Sequence, residues 1–144
     1  MMLIKQLLIA IALTIAISLN AQSTGTNSIT VHIKGVKNDH GVMRAFLFNS
    51  EDGFLKRSFM TRTAKFHGKG ELSIVFDSLP KGDYAVNVYH DRNNNNELDS
   101  NWMRIPKEPY GFSNNVRGKM GPPKFEEAKF PLNTNQQLIT INLK

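Results

Sequence analysis

Hydrophobic and polar residues alternate with a period of two along much of the chain from residue 29 onward. Residues 29–33 show the pattern most clearly, with an aliphatic side chain at every second position, as a strand with one buried face requires. Similar segments are predicted as strands at residues 42–48, 72–76, 84–90, 126–132 and 137–143. Short strands at this spacing, without an amphipathic helical stripe, predict an all-β fold, an antiparallel β-sandwich of about seven strands.

The second half of the chain contains a long interruption of this pattern. Residues 91–125 have no sustained period and hold four of the six prolines. They are predicted to form one long loop, or two loops around a short element. The last two strands flank a turn-forming Asn-Thr-Asn sequence at 133–135 and are predicted to pair with each other.

Tyr84 follows the turn sequence Leu79-Pro80-Lys81-Gly82-Asp83 at the start of a predicted strand. In β-sandwiches a tyrosine at such a place can return its hydroxyl to the backbone just upstream, an arrangement known as a tyrosine corner. The alternative is a plain core aromatic residue. Both interpretations place the ring inside the protein.

The N-terminus has the organisation of a secretory signal peptide. Lys5 supplies the positive region, residues 7–19 are uncharged and mostly aliphatic, and Ala21 offers a small residue for cleavage before Gln22. The apolar run is shorter than the roughly 20 residues of a membrane-spanning helix, although a retained anchor is the alternative. We therefore expect a signal peptide at 1–21, a flexible lead-in at 22–28 and a single domain at 29–144. The mature protein is expected to be periplasmic or extracellular, without stable membrane insertion.

Composition narrows the function classes. The 144 residues include no cysteine, which excludes a disulfide scaffold, a thiolate nucleophile and a lipid-modified N-terminal cysteine. The net charge is +6, but the basic residues are scattered and form no run or helical stripe. A nucleic-acid partner is therefore not expected.

The segment after the strand at 84–90 resembles a calcium-binding loop in its spacing. Calcium takes oxygen ligands from alternate positions of a tightly wound loop, with one backbone carbonyl among them. The candidate ligands are Asp91, Asn93, Asn95, the carbonyl of Glu97, and Asp99. Asn96 stands where EF-hands have glycine, and Trp102 stands where they have a bidentate glutamate, so we expect weak affinity. The alternative is an Asn-rich turn held by bonds between side chains and backbone.

A second segment has the composition of a recognition loop, because rigid aromatic residues alternate there with polar ones. The candidate binding residues are Trp102, Glu108, Tyr110, Phe112 and Asn114. The alternative is that the aromatic rings fold back and cap one end of the sandwich. The expected partner is an unidentified small molecule, glycan or protein.

The sequence offers little for catalysis. It has no nucleophile elbow, zinc-binding histidine pair or phosphate loop. His90 next to Asp91 could be a base with an orienting carboxylate, but neighbouring strand residues point to opposite faces. We therefore expect a non-catalytic binding or accessory module. The alternatives are a hydrolase with His90 as base and a purely structural envelope or adhesion domain.

Four ordered motifs over residues 29–143 closely resemble the DUF2141 family of exported bacterial proteins. They are Leu79-Pro-x-Gly-x-Tyr-Ala-Val, His90-Asp-x-Asn-x-Asn-x-x-x-Asp, Ile105-Pro-x-Glu-Pro-Tyr-Gly-Phe-Ser-Asn and Gly121-Pro-Pro-x-Phe-x-x-Ala. The family usually has Asn-Gly where this chain has Asn95-Asn96. The resemblance implies an immunoglobulin-like or transthyretin-like sandwich without an established activity. If the fold is transthyretin-like, the chain lacks the Tyr-Arg-Gly-Ser tail of the purine-degrading hydrolases, ending instead at Lys144.

Overall fold

The computed structural model describes residues 26–144, which form two β-sheets that enclose a common core. The strands are β1 (Asn27–Val36), β2 (Val42–Phe48), β3 (Met60–Ala64), β4 (Gly70–Leu79), β5 (Gly82–Asp91), β6 (Tyr110–Phe112), β7 (Phe130–Leu132) and β8 (Gln136–Asn142). A short 3-10 helix (Ser113–Asn115) and one helical turn, α1 (Phe125–Ala128), complete the elements. The predicted all-β sandwich is confirmed.

The smaller sheet has the strand order β4-β1-β8, and β8 runs parallel to β1 while β4 runs antiparallel to it. The larger sheet has the order β3-β2-β5-β6, with β7 pairing with the beginning of β5. The smaller sheet is therefore mixed, whereas every pairing in the larger sheet is antiparallel, as the sequence suggested.

The main core lies between the two sheets. Alternate residues of β1 meet the inward residues of β2, β4 and β5, which is the burial that the period of two predicted. The fully buried members include Ile29, Val31, Ile33, Met43, Leu47, Phe76 and Val86. Removing these side chains from water provides the main favourable term for folding.

A second apolar cluster covers the other face of the larger sheet. It consists of Phe48, Phe54, Ala85, Phe112, Phe125 and Ala128. Because apolar groups cover both faces of β5, every residue from Tyr84 to Asp91 is buried. The alternating pattern predicted only one buried face for this strand. The burial of its second face depends on tertiary contacts with the second cluster.

The C-terminal strand pair was predicted wrongly. Residues 126–132 form α1 and the short β7, which pairs with β5, while β8 pairs with β1. At the start of α1, the backbone N–H of Lys124 donates to the Glu127 carboxylate at 2.7 Å. This cap favours a helical turn where apolar spacing suggested a strand.

Strand β3 was missed, because it falls within a region that had no regular pattern. Its sequence, Met-Thr-Arg-Thr-Ala, has few apolar residues, and it lies at the edge of the larger sheet with two of its five residues exposed and none buried. Edge strands carry weak hydrophobic patterns because one of their flanks and much of one face contact water.

Tyr84 combines the two roles considered for it. Its side chain is 2% exposed, and its hydroxyl donates to the carbonyl of Pro80 at 2.8 Å. The bond spans the turn into β5 and is the contact expected of a tyrosine corner.

The predicted signal peptide and most of the predicted lead-in lie outside the described residues, and β1 begins at Asn27. Across residues 26–144, no helix has the length and apolar character needed to cross a membrane.

Candidate functional site

Asp91 is the centre of the predicted ion-binding loop. Its carboxylate is completely buried at the end of β5 and accepts a hydrogen bond from Arg44 Nε at 2.7 Å. The backbone N–H groups of Asn95 and Asn96 donate to the same carboxylate at 3.1 and 3.0 Å. Burial raises the pKa of Asp91, but the bonds from Arg44 and the backbone outweigh it and hold the pKa below its ordinary value of 3.8.

The other predicted ion ligands lie on the same loop and bind one another. Asn93 Nδ2 and Asn95 Nδ2 donate to the two carboxylate oxygens of Asp99 at 2.7 and 3.0 Å. The amide oxygens of Asn93 and Asn95 accept from backbone N–H groups within the loop, among them that of Glu97. In this arrangement the side chains of Asn93, Asn95 and Asp99 find their partners within the loop, as in an Asx-rich turn.

A calcium ion would require this network to change. The amides of Asn93 and Asn95 direct nitrogen toward Asp99 where calcium would need oxygen. The guanidinium of Arg44 already supplies the positive charge next to Asp91. Residues 26–144 contain no group of three or more acidic or histidine side chains that could hold a metal ion, so an ion would need amide and backbone oxygens in addition to the carboxylates of Asp91 and Asp99. Calcium binding stays a prediction.

Glu108 connects the ion-binding loop to the segment that follows it. Its side chain is 6% exposed, and its two oxygens accept from the backbone N–H groups of Arg92 and Asp99 at 2.8 and 3.1 Å. One buried carboxylate therefore binds both ends of the loop at 92–99. The N–H of Lys107 also donates to the carbonyl of Asp99 at 2.7 Å.

Residues 100–106 form a small hairpin that projects beyond the Glu108 contacts, which we call the Glu108 clamp. We call the hairpin itself the tip hairpin. Ser100 pairs with Pro106, and the N–H of Asn101 donates to the carbonyl of Ile105 at 2.9 Å. The Asn101 side-chain oxygen accepts from the N–H groups of Met103 and Ile105 at 2.9 and 3.0 Å. Trp102 and Met103 thus occupy the centre of an ordered turn.

Residues 117–123 form a second projecting segment, the Gly-Pro loop. A Cβ on Gly118 would lie 1.8 Å from the carbonyl oxygen of Gly121, so only glycine permits this tight turn. The buried Pro123 leads the chain back toward α1.

A groove of about 1030 Å³ lies between the tip hairpin and the Gly-Pro loop. Its inner residues include the buried Asn87 and Phe112 and the half-buried Tyr110. Its outer residues are exposed and include Met103, Ile105, Pro122 and Met120. The charged residues that line it are Arg104, Arg117 and Lys119, all of them positive. An apolar groove with a cationic rim suits a ligand that joins an anionic group to an apolar body.

The Ser-Asn-Asn sequence at 113–115 fixes the position of the chain that follows the inner groove residue Phe112. The buried Ser113 hydroxyl donates to the carbonyl of Ala128 at 2.6 Å and accepts from the N–H of Val86 at 2.9 Å. Asn114 Nδ2 donates to the carbonyls of Glu127 and Lys129, at 3.1 and 2.9 Å. Together these bonds tie the chain after β6 to β5 and to α1.

The five predicted binding residues separate into three groups. Trp102 stands exposed on the tip hairpin, whereas Tyr110 and Phe112 line the inner part of the groove. Glu108 and Asn114 bind backbone groups and position the loops. Phe112 packs into the second cluster, as the capping interpretation expected, while Trp102 does not fold back. The binding role of the segment stays a prediction.

His90 is fully buried, and its Nε2 lies 2.6 Å from the carbonyl oxygen of His40. Its ring packs edge-on against Phe66 at a centroid distance of 5.1 Å. It does not line the groove. A general base must reach the proton that it removes, and this arrangement gives His90 no such access.

The sequence-based candidates did not include the Gly-Pro loop. The segment that contains Arg117, Lys119 and Met120 has no periodicity, and the charges of Arg117 and Lys119 were interpreted as part of a scattered basic surface. The nearby glycines and prolines are the one local signal that could have drawn attention to them, because such residues mark ordered turns.

A family model described as "Uncharacterized protein conserved in bacteria (DUF2141)" matches residues 31–140. No curated protein matches the chain, and neither does any solved structure. The likeness to immunoglobulin-like or transthyretin-like domains therefore stays a prediction.

Proposed function

This chain belongs to the DUF2141 family, and from that premise we propose that it is an exported, non-catalytic binding module whose ligand site is the groove. The family name carries no activity, and a fold by itself does not imply one, so the proposal is argued from the site. The ligand is a small molecule with an anionic group and an apolar body.

The observation that carries this proposal is the combination of shape and charge in the groove. Its volume of about 1030 Å³ is at the upper end of the range for small-molecule sites. Arg104, Arg117 and Lys119 can bind an anionic group at the rim, while Tyr110 and Phe112 offer apolar surface inside. The Glu108 and Ser113 bonds hold both sides in position before a ligand arrives, which lowers the entropic cost of binding.

Dodecanoate is a suitable probe, because it joins a carboxylate to an apolar chain. Isothermal titration of the exported protein with dodecanoate below its micelle concentration should give saturable binding. Arg117→Glu should weaken the affinity about tenfold or more, since a charge-assisted hydrogen bond becomes a like-charge contact. Tyr110→Ala should weaken it by removing apolar surface from the inner groove.

Lys81→Glu is the matched control, because it makes the same charge change at an exposed turn outside the groove. It should bind dodecanoate like the natural protein. Equal affinity in Lys81→Glu and Arg117→Glu, or no binding by the natural protein, would contradict the proposed ligand class.

A further inference from the structure

Four large apolar side chains project from the two segments that border the groove. Trp102, Met103 and Ile105 are 91%, 55% and 51% exposed on the tip hairpin, and Met120 is 101% exposed on the Gly-Pro loop. Met103, Ile105 and Met120 line the same groove, and Trp102 precedes Met103 in the exposed turn of the tip hairpin. Apolar residues grouped in this way, unlike single ones, mark an interaction surface.

Trp102 is exposed because it lies in a turn whose conformation is fixed by hydrogen bonds. The tip hairpin is closed by backbone bonds between Asn101 and both Arg104 and Ile105, each at 2.9 Å. The Asn101 side chain adds two further bonds to the same turn. Trp102 is therefore held outward by an ordered scaffold and needs no rearrangement to meet a partner.

The segment that carries these side chains is rich in basic residues. Residues 100–124 contain five basic residues and one acidic residue, Glu108. Glu108 is buried and bound to two backbone N–H groups, whereas the basic residues are exposed. The basic residues are Arg104, Lys107, Arg117, Lys119 and Lys124. Within residues 100–124, all exposed charged side chains are therefore positive, and they lie on the same segment as the four exposed apolar side chains, which we call the apolar tips.

We propose that this surface, the four apolar tips with their surrounding cations, attaches the protein peripherally to an anionic lipid bilayer. Tryptophan favours the membrane interface, where its ring contacts acyl chains and its N–H stays hydrated. Exposed lysine and arginine side chains are attracted to anionic headgroups. A protein partner would explain the apolar tips but would not by itself require the excess of basic residues in this segment. This attachment goes beyond the proposed function and does not depend on the groove being filled.

Trp102 is the one tryptophan of the chain, so intrinsic tryptophan fluorescence reports directly on the proposed contact. The exported protein, with its N-terminus measured by mass spectrometry, is mixed with vesicles of phosphatidylcholine alone or with about one third phosphatidylglycerol. We expect a blue shift, and quenching by brominated acyl chains, with the anionic vesicles. High salt should weaken the binding, because it screens the headgroup charge.

Three pairs of variants test the assignment, with vesicle binding measured by co-sedimentation. Arg104→Glu should lower the partition coefficient on the order of tenfold, while Lys81→Glu should change it little. Met120→Ser should weaken binding, whereas Leu138→Ser, which changes another exposed apolar residue on β8, should not. Trp102→Ala should weaken vesicle binding and leave dodecanoate binding unchanged. Tyr110→Ala should weaken dodecanoate binding and leave vesicle binding unchanged. Failure of the membrane proposal can therefore be told apart from failure of the proposed ligand site.

Three results would overturn the attachment. The first is an unshifted Trp102 spectrum with anionic vesicles at low salt. The second is equal binding of Arg104→Glu and Lys81→Glu. The third is a blue shift that depends on protein concentration without lipid, with dimers in sedimentation velocity, because the surface would then pair with a second copy of the chain.

Discussion

At the scale of single residues, Asp91 is the clearest case of a side chain whose surroundings determine its chemistry. Three groups donate hydrogen bonds to a carboxylate that has no contact with water. Removing one partner of a buried ion pair leaves the other without compensation. We expect Asp91→Asn to lower the free energy of unfolding by about 2–4 kcal/mol, less than for a fully buried pair because Arg44 is partly exposed.

The same carboxylate predicts a response to acid. Because the pKa of Asp91 is lower in the folded protein than its ordinary value of 3.8, ionisation favours folding. Its contribution should be complete above that value and should be lost as the pH falls through the folded pKa. Urea unfolding at a series of pH values should show this loss in the natural protein and a smaller one in Asp91→Asn.

Asp77→Asn is the control for both measurements. Asp77 also faces an arginine, Arg62, but at 3.6 Å and with 67% of its side chain exposed. It should change the free energy of unfolding by less than about 1 kcal/mol. If Asp77→Asn lowered the free energy of unfolding as much as Asp91→Asn, burial of the ion pair would not explain the effect at Asp91.

At the scale of elements, Glu108 holds the ends of the loop at 92–99 together. In Glu108→Gln the amide nitrogen would face a backbone N–H, leaving one donor unsatisfied at a cost of about 1–3 kcal/mol. Hydrogen exchange should become faster at the N–H groups of Arg92 and Asp99. Glu97→Gln, at an exposed position of the same loop, should leave exchange unchanged; equal acceleration in both variants would contradict the clamp.

Calcium binding by the same loop is tested by calorimetry. A site formed by Asp91, Asn93, Asn95, Asp99 and the Glu97 carbonyl should give heat at millimolar calcium that disappears in Asp91→Ala and Asp99→Ala. Thermal melts in calcium and in EDTA should then differ. Absence of heat would assign the loop to turn chemistry, with Arg44 alone balancing the charge of Asp91.

At the scale of the whole molecule, export remains the prediction with the widest consequence, because it decides which lipids and ligands the protein can meet. Chain produced in an exporting host should begin at Gln22, since cleavage after Ala21 removes the aliphatic segment. Mass spectrometry of the protein from the medium or periplasm measures this directly. An intact Met1 in a membrane-bound fraction would instead support a retained anchor.

The sequence alone predicted the strands β1, β2, β4, β5 and β8, because burial of alternate residues leaves a period of two wherever a strand has one face in water. It also predicted the irregular region at 91–125, which contains the tip hairpin and the Gly-Pro loop, since proline, glycine and the Asp-Asn spacing mark irregular backbone. The role of Tyr84 could be narrowed to two possibilities. Strand β3 and the helical turn α1 were not predicted, because a polar edge strand and a single capped turn are too short and too polar to produce a periodic hydrophobic pattern.

Only the tertiary structure decided how those segments meet. The parallel pairing of β8 with β1 and the position of β7 beside β5 depend on contacts between distant parts of the chain. Local patterns cannot encode such pairings. For the same reason, the sequence could not distinguish the exposed Trp102 from the buried Phe112, or the clamping Glu108 from a ligand-binding carboxylate. Each role depends on which backbone groups and apolar surfaces the fold brings alongside the side chain.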